Sequence, residues 1–301
     1  MAGGFDHSLL KEGLARVQEE VDSVFDALLP VPQDSRARLV EAMRYAAIGG
    51  GKRVRPLLLV STAELFGVDR DRALRAACAV EAIHVYSLIH DDLPCMDDDD
   101  LRHGKPTLHK AFDEATAVLA GDSLHALAFE ILADPETSAD PFIRVELIAT
   151  LGRASGKDGM AGGQMMDMMA EAEDYDLHTI TRLQQLKTGA LLAASVEMGA
   201  VMGHVPSEGR HHLRAYARDI GLAFQIADDL LDHEGDEAKA GKALRKDDGQ
   251  GKQTFVTLMG ADKARGQAQA LVEQAVGHLA PHGEEARMLA AVARYIVERD
   301  R

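Results

Sequence analysis

Hydrophobic and polar residues follow a helical pattern along most of this chain. The helix-forming residues alanine, leucine and glutamate are common, and alternating runs of β-branched residues between turn signals, typical of strands, are hard to find. The pattern predicts helices over residues 6–28, 35–48, 56–66, 71–92, 115–133, 141–155, 176–202, 208–233, 254–278 and 284–298. The sequence therefore predicts an all-α protein with about ten or more helices.

Turn-forming residues mark the places where one predicted helix gives way to the next. Asp34-Ser35 precedes the second helix, Pro206-Ser207 precedes the eighth, and Gly203 follows the seventh. Residues 234–253 form a long polar stretch that contains glycine, and we expect them to form a flap over a site. No internal repeat or low-complexity tract appears, and we expect residues 1–301 to form a single helical domain.

Composition limits the kinds of partner that suit this chain. Hydrophobic residues make up 46% of its 301 residues, which is enough to fill a large core. The formal net charge of -16 makes nucleic acid an unfavourable partner. The first residues lack a secretory signal pattern, no run reaches the length of a membrane span, and two cysteines make no disulfide framework. We therefore expect a cytoplasmic protein without a membrane span.

The motif DDLLD at 228–232 is the simpler of two acidic motifs. Asp228 and Asp232 are four positions apart on a predicted helix, an offset of about 40°, so their carboxylates share one face. Like charges at this spacing are unfavourable, and hard oxygen ligands suit Mg²⁺ better than softer metals. The motif indicates a Mg²⁺ site, and a solvated acidic face is the alternative that this motif alone leaves open.

The other acidic motif, DDLPCMDD at 91–98, depends on its proline. Asp91 and Asp97 are six positions apart and would point in roughly opposite directions on an uninterrupted helix. Pro94 disfavours helical geometry at Leu93 and removes a backbone donor, so the helix should end there and turn Asp97 back. The alternative is a calcium-binding loop of the EF-hand type, but the segment lacks the alternating ligands, central glycine and terminal glutamate of such a loop.

Two Mg²⁺ sites suggest a substrate that bridges them, and a diphosphate is such a substrate. A basic segment supplies cations that could bind it. In GGGKRVRP at 49–56 the glycines allow close backbone approach, Lys52 is a point charge, and Arg55 can bind phosphate oxygens in a fork. The segment lacks the serine or threonine that follows the lysine of a Walker loop, and alone it is typical of a basic turn.

Taken together and in this order, the motifs resemble those of the bacterial-type trans-isoprenyl diphosphate synthases, specifically farnesyl and geranylgeranyl diphosphate synthases. The resemblance covers nearly the whole chain and rests on MRYAAIGGGKRVRP at 43–56, EAIHVYSLIHDDLPCMDDDDLRHGKPTLH at 81–109, AVLAGD at 117–122, GMAGGQMMDM at 159–168, LKTGALL at 186–192, FQIADDLLD at 224–232 and GKQT at 251–254. It implies a helical bundle around a deep central cavity, a homodimer, and Mg²⁺ as cofactor, with three ions per site when diphosphate is bound.

The resemblance also implies a role for each matching residue. It implies that isopentenyl diphosphate binds to Lys52, Arg55, His84 and, in place of a usual arginine, His103. It implies that Mg²⁺ binds to Asp91, Asp97 and Asp228, with support from Asp92, Asp229 and Asp232. The allylic diphosphate would bind to Arg102, Lys187, Thr188, Gln225, Lys242 and Lys252, of which the first four would act in catalysis.

The implied activity joins isopentenyl diphosphate head to tail to dimethylallyl or geranyl diphosphate. Mg²⁺ and cationic side chains stabilise the departing diphosphate, the double bond of isopentenyl diphosphate attacks the allylic carbocation, and the released diphosphate takes the proton. Thr188 and Gln225 would direct oxygen dipoles towards the carbocation. The alternatives are a catalytically silent partner subunit that binds a prenyl diphosphate, and terpene cyclisation or head-to-head condensation.

Two positions beside the first acidic motif bear on affinity and product length. Relatives commonly have two consecutive arginines where this chain has Arg102 and His103, so we predict weakened affinity for isopentenyl diphosphate and a steeper pH dependence. Tyr86 and Ser87 are the fifth and fourth residues before Asp91, where bulk limits product length in the family. Helical spacing places Ser87 under Asp91 and Tyr86 to one side, but the aromatic residue favours a fifteen-carbon product over a twenty-carbon one.

Overall fold

Helices dominate the computed structural model, which describes residues 7–170, 173–234 and 253–298. The α-helices are α1 (His7–Leu28), α2 (Ala37–Ala47), α3 (Val54–Leu65), α4 (Arg70–Asp91), α5 (Leu108–Ala111), α6 (Glu114–Ala133), α7 (Pro141–Ser155), α8 (Met160–Met169), α9 (Leu177–Gln184), α10 (Ala190–Met202), α11 (His211–Glu234), α12 (Phe255–Met259), α13 (Ala261–His278) and α14 (Arg287–Glu298). A π-helical segment, Gln185–Gly189, joins α9 to α10, and short 3₁₀ helices, Ser207–Arg210 and Ala280–Ala286, precede α11 and α14. Strands β1 (Leu101–Arg102) and β2 (Lys105–Pro106) form a small antiparallel hairpin.

The all-α prediction is confirmed, and the outer bounds of the predicted helices lie within three residues of the observed ones. The predicted helix 254–278 was wrong in one respect, because Gly260, with φ 85°, separates α12 from α13. Three elements escaped the sequence pattern, namely α5, α8 and the hairpin. The helix α8 has two glycines, which weaken its intrinsic preference for helix, and its packing against the π segment overrides that preference.

The helix α4 is buried on nearly all sides, which is typical of a helix at the centre of a bundle. It packs against α3 and α6, and side chains such as Ile83 and Leu124 are fully buried between these helices. The helix α11 packs against α13 and carries the second acidic motif. The first motif therefore begins at the end of a rigid central helix, which limits the positions that its aspartates can adopt.

The length and composition of α6 would allow it to cross a membrane, although no apolar run of that length was predicted from the sequence. Within the structure, 50% of the apolar stretch of this helix is buried, and residues such as Leu124, Ala128 and Leu132 are inaccessible to solvent. The core helix of a soluble protein meets the same criteria, so this helix alone does not indicate a membrane span. Its outer face carries two exposed apolar side chains, Val118 and Leu119.

Candidate active site

The loop after α4 folds back onto the end of that helix. Met96 N and Asp98 N donate hydrogen bonds to Leu93 O at 2.9 and 3.2 Å, and Asp97 N donates to Asp91 O at 2.8 Å. Asp98 has φ 47°, in the left-handed region that tight reversals require. The helix thus ends just before Pro94, and the backbone of Asp97 lies beside that of Asp91, as the proline predicted.

Asp91 lies in a site that disfavours negative charge. Loss of hydration raises its pKa to about 6; the Lys187 ammonium opposes the increase, and the Asp97 carboxylate adds to it. These influences show that Asp91, Asp97 and Lys187 share one electrostatic environment, although Lys187 lies far away in the sequence. A bound divalent cation would neutralise the two carboxylates in this environment.

Asp92 is held by an arginine on the hairpin. The Nε of Arg102 donates to Asp92 Oδ1 at 3.0 Å, its Nη2 contacts the same oxygen, and its Nη2 also lies 3.4 Å from Asp99 Oδ2. Burial raises the pKa of Asp92, and the guanidinium of Arg102 opposes this increase. Asp92 is only 3% exposed. Asp92 therefore positions Arg102 instead of presenting its carboxylate to solvent.

A two-residue turn places His103 at the tip of the hairpin. Arg102 pairs with Lys105 in the antiparallel register, and the turn residues His103 and Gly104 have φ 51° and 75°. Positive φ at both central residues is the signature of a type I′ turn, which suits the twist of a hairpin. Partial loss of hydration lowers the pKa of His103, and Arg102 lowers it further, so the imidazole is neutral at neutral pH.

The glycine loop before α3 is fixed by a buried ion network. Gly49 N donates to Asp22 Oδ2 at 3.0 Å, and both Gly49 and Gly51 have φ 74°, which favours glycine. Arg53 donates from Nη1 to Glu81 Oε1 and from Nη2 to Asp22 Oδ1, each at 2.8 Å. The guanidinium of Arg53 is therefore structural, which leaves Lys52 and Arg55 as the candidate ligand-binding cations of the basic segment.

Arg55 lies between this network and the second acidic motif. Its Nε is buried and has no hydrogen-bond partner among the residues that the structure describes. Loss of hydration lowers its pKa, and the carboxylates of Glu81 and Asp228 oppose this decrease. His84, one turn after Glu81, has a pKa well below its ordinary value because it is buried and lies close to Arg55. An anionic ligand would relieve the cost of the buried guanidinium nitrogen.

A single cavity connects the glycine loop, α4 and the hairpin. Its polar lining includes Glu81, His84, His103 and Lys105, and its apolar lining includes Val85 from α4. Lys52 lies on the same loop and is exposed, with its Nζ 5.8 Å from the centre of the Tyr295 ring. Of the four residues assigned to isopentenyl diphosphate, His84 and His103 line this cavity, whereas Lys52 and Arg55 are not among its lining residues.

The π segment carries Lys187 and Thr188. The Nζ of Lys187 lies 2.5 Å from Asp167 Oδ2 on α8. Burial lowers the pKa of Lys187, but Asp167 and Asp91 outweigh that effect and raise it, so the ammonium stays charged. A Cβ on Gly163 would lie 2.2 Å from Lys187 N, so α8 can approach the π segment only at a glycine. Neither the π segment nor the ion pair between Lys187 and Asp167 was predicted from the sequence. Segments of π-helix often mark functional sites.

The aspartates of the second motif differ in their surroundings. Asp229 is 8% exposed and accepts a hydrogen bond from Phe255 N at 2.8 Å, which ties α11 to the start of α12. Asp228 and Asp232 are half-buried on the adjacent face, and Gln225 is buried one turn before them. Lys242 and Lys252, together with most of the expected flap, lie outside the described residues.

The residues present fit Mg²⁺ that is bound jointly with a diphosphate. Within the described ranges, no three His, Cys, Asp or Glu side chains converge closely enough to hold a metal ion by themselves. Mg²⁺ in proteins is usually held by one or two carboxylates together with waters and substrate phosphates. Asp91, Asp97 and Asp228 supply oxygen donors only, and the buried Nε of Arg55, a cation that Asp228 influences, has no hydrogen-bond partner among the described residues.

Comparison with known proteins finds relatives that match most of the chain. The family model for polyprenyl synthetases matches residues 36–294. A farnesyl diphosphate synthase of Escherichia coli is 46% identical over 87% of this chain and 90% of that protein. A chloroplastic geranylgeranyl pyrophosphate synthase of Catharanthus roseus is 44% identical over 87% of this chain and 74% of that protein.

Solved structures show the same fold. A crystal structure of an FPP/GFPP synthase from Zymomonas mobilis is 59% identical, with a TM-score of 0.88, and covers 96% of this chain and 98% of that chain. A geranyltransferase from Helicobacter pylori, complexed with magnesium and isoprenyl diphosphate, is 31% identical, with a TM-score of 0.82 and 98% coverage of both chains. Because sequence and fold agree over nearly its whole length, this chain belongs to the polyprenyl synthetase family.

Proposed function

We propose that this chain is a short-chain trans-prenyltransferase that condenses isopentenyl diphosphate head to tail with dimethylallyl or geranyl diphosphate and releases farnesyl diphosphate. Relatives named farnesyl diphosphate synthase, at 42% to 46% identity, support this activity. The observation that carries the proposal is the position of Arg55. Asp228 opposes the decrease in the pKa of Arg55, and Arg55 lowers the pKa of His84, so this guanidinium lies near both the second acidic motif and a residue that lines the cavity at the glycine loop.

The acidic motifs would hold the allylic diphosphate through Mg²⁺. We assign three ions per loaded site to Asp91, Asp97 and Asp228, and Mg²⁺ supplies the positive charge that stabilises the departing diphosphate. The supporting aspartates act through the contacts already described. Asp92 positions Arg102, Asp229 fixes the junction between α11 and α12, and Asp232 shares the helix face of Asp228.

Cationic and polar side chains complete the allylic site. Lys187 and Arg102 are each held by a carboxylate that orients them, and both retain positive charge for the diphosphate. Thr188 on the π segment and Gln225 on α11 would direct their oxygen dipoles at the allylic carbocation. Lys242 and Lys252 keep their assignment to this diphosphate from the sequence resemblance alone.

The cavity at the glycine loop would hold isopentenyl diphosphate. Lys52 and Arg55 supply charge, and neutral His84 and His103 act as hydrogen-bond donors. Binding there would place the double bond of isopentenyl diphosphate on the side of the allylic carbon, which converts a bimolecular reaction into a positioned one. The apolar wall of Val85 and its neighbours excludes water that would otherwise capture the carbocation.

Tyr86 would limit product length. Its ring makes edge contacts with His90 and His125, with centroids 5.7 and 5.0 Å apart, so it fills space between α4 and α6. The hydroxyl of Ser87 instead lies 2.8 Å from His84 O, within its own helix. The aromatic bulk favours farnesyl diphosphate, and the geranylgeranyl product stays the alternative because synthases of that name are 42% to 44% identical.

The assembly would be a cytoplasmic homodimer of single-domain subunits. Phe142 and Val145 on α7 are 83% and 64% exposed, and Val118 and Leu119 on α6 are 40% and 55% exposed. Exposed apolar side chains on two neighbouring helices are typical of a subunit interface. A second copy of the chain would also cover the apolar outer face of α6 that meets the length criterion for a membrane span.

Incubation with labelled isopentenyl diphosphate and each allylic primer, with and without Mg²⁺, tests the function. Mg²⁺-dependent formation of farnesyl diphosphate supports the proposal, and a twenty-carbon product supports the geranylgeranyl alternative. Binding without turnover would identify a silent partner subunit. Consumption of an allylic diphosphate without isopentenyl diphosphate would identify a cyclase or a head-to-head synthase, which has no need of the second anion site.

A further inference from the structure

Lys105 extends from the second strand of the hairpin to the glycine loop. It lines the same cavity as His84 and His103. Its Nζ lies 3.8 Å from the position that a Cβ on Gly49 would occupy, in the space that this glycine leaves open. The ammonium of Lys105 therefore lies beside the loop that carries Lys52 and Arg55, although the sequence analysis assigned it no role.

The other hairpin and loop cations in this cavity have carboxylate partners, but Lys105 has none. Arg53 pairs with Glu81 and Asp22, and Arg102 pairs with Asp92. Within the described part of the chain, the side chain of Lys105 forms no ion pair or hydrogen bond. A lysine that borders a cavity without a protein partner is available to an anion that enters the cavity.

The hairpin geometry explains why a lysine at this position can serve the cavity. Arg102 and Lys105 face each other across the two strands, and His103 and Gly104 form the turn between them. His103 stands where relatives commonly have a second arginine, so the turn itself contributes a neutral ring in place of a charge. Lysine has a long flexible stem and a compact ammonium, so it can reach a phosphate from a strand beside the turn.

We propose that Lys105 binds the diphosphate of isopentenyl diphosphate and supplies the positive charge that His103 does not. The proposal rests on the proposed function, because it names a further ligand of the same substrate. It also modifies the expectation drawn from His103 alone. A cation two positions further along the hairpin would restore part of the affinity for isopentenyl diphosphate that His103 alone would lose.

Kinetic constants of Lys105→Met test the proposal. We expect the KM for isopentenyl diphosphate to rise about three- to fivefold, because the charge is partly exposed, and the KM for geranyl diphosphate to stay unchanged. Lys105→Arg should retain the native KM. The matched control is Lys110→Met, because Lys110 is an exposed lysine of the same segment whose Nζ lies 2.9 Å from Asp100 Oδ1. The control should change neither constant.

A double-mutant comparison tests the compensation for His103. With His103→Arg already present, Lys105→Met should raise the KM for isopentenyl diphosphate by less than it does in the native chain, because the arginine now supplies the charge. An equal increase in both backgrounds would overturn the compensation. If Lys105→Met leaves this KM unchanged while Arg55→Met raises it, the proposal fails and the proposed function stands. If neither variant changes it, the assignment of the whole cavity to isopentenyl diphosphate fails.

Discussion

Replacing Glu81 by alanine should destabilise this protein far more than the same change at Glu20. Both residues lie in helices and pair with an arginine, but their surroundings differ. The Glu81 and Arg53 side chains are 3% and 1% exposed, whereas those of Glu20 and Arg70 are 25% and 21% exposed. The comparison therefore contrasts a buried ion pair with a partly exposed one, in which Glu20 also pairs with Arg16.

The magnitude follows from what each variant leaves behind. Removal of one partner from a fully buried pair costs about 3–5 kcal/mol, because the other charge stays buried without compensation. Arg53 would keep its bond to Asp22, so we expect a loss of about 3 kcal/mol, near the lower end. Partly exposed pairs are worth about 1 kcal/mol or less, and we expect a loss of that size for Glu20→Ala.

Equilibrium unfolding in urea at one fixed protein concentration measures this difference, with Tm as a second readout. A variant whose free energy of unfolding falls by about 3 kcal/mol should also lose roughly 5–10 °C in Tm. The KM for isopentenyl diphosphate should rise in Glu81→Ala only, because Arg53 positions the glycine loop. Equal losses of stability in the two variants would refute the reasoning from burial.

Four further predictions concern single positions. His103→Arg should lower the KM for isopentenyl diphosphate about two- to fivefold at neutral pH. It should also remove the decrease of the native KM towards acid pH, because the lowered pKa of the imidazole means that it gains charge only there; identical pH profiles of the two proteins between about pH 5 and 7 would contradict this. Tyr86→Ala should shift products to longer chains, measured by chromatography of labelled products, and an unchanged distribution would argue against a limiting role. Gly163→Ala should lower the unfolding free energy by about 2 kcal/mol and reduce kcat, because the new Cβ meets Lys187 N, whereas Gly266→Ala, with nothing within 4 Å, should stabilise by about 0.5–1 kcal/mol. Phe142→Asp should convert the proposed homodimer to monomers in analytical ultracentrifugation, and a dimer that persists would place the interface elsewhere.

The reversal at Pro94 shows how far local rules extend. Proline restricts the residue before it and removes a donor, so the end of α4 and the return of Asp97 to Asp91 could be predicted without tertiary information. The π segment could not be predicted in this way. Its geometry depends on the close approach of α8 at Gly163, a contact between parts of the chain that are distant in sequence.

Lys105 and Glu81 lie within the motif at 81–109, but the resemblance assigned a role to neither of them. Neither belongs to the acidic clusters, and a lysine after a turn or a glutamate on a helix is ordinary in sequence. Their importance appears only when the hairpin, α4 and the glycine loop enclose one cavity. Glu81 is three positions before His84, and this spacing on one helix face was the available signal for its proximity to the substrate site.

By itself, the sequence determined the helical architecture, the order of the motifs and the family, because helical period, proline and short motifs act over a few residues. Tertiary structure decided the separate duties of like residues. Asp92 and Asp229 bond to protein groups while Asp91 and Asp228 are proposed to bind Mg²⁺, and Arg53 is buried in an ion network while the buried Nε of Arg55 has no hydrogen-bond partner among the described residues. The reason is physical, because the role of a charge depends on its burial and its nearest opposite charge, and segments distant along the chain supply both.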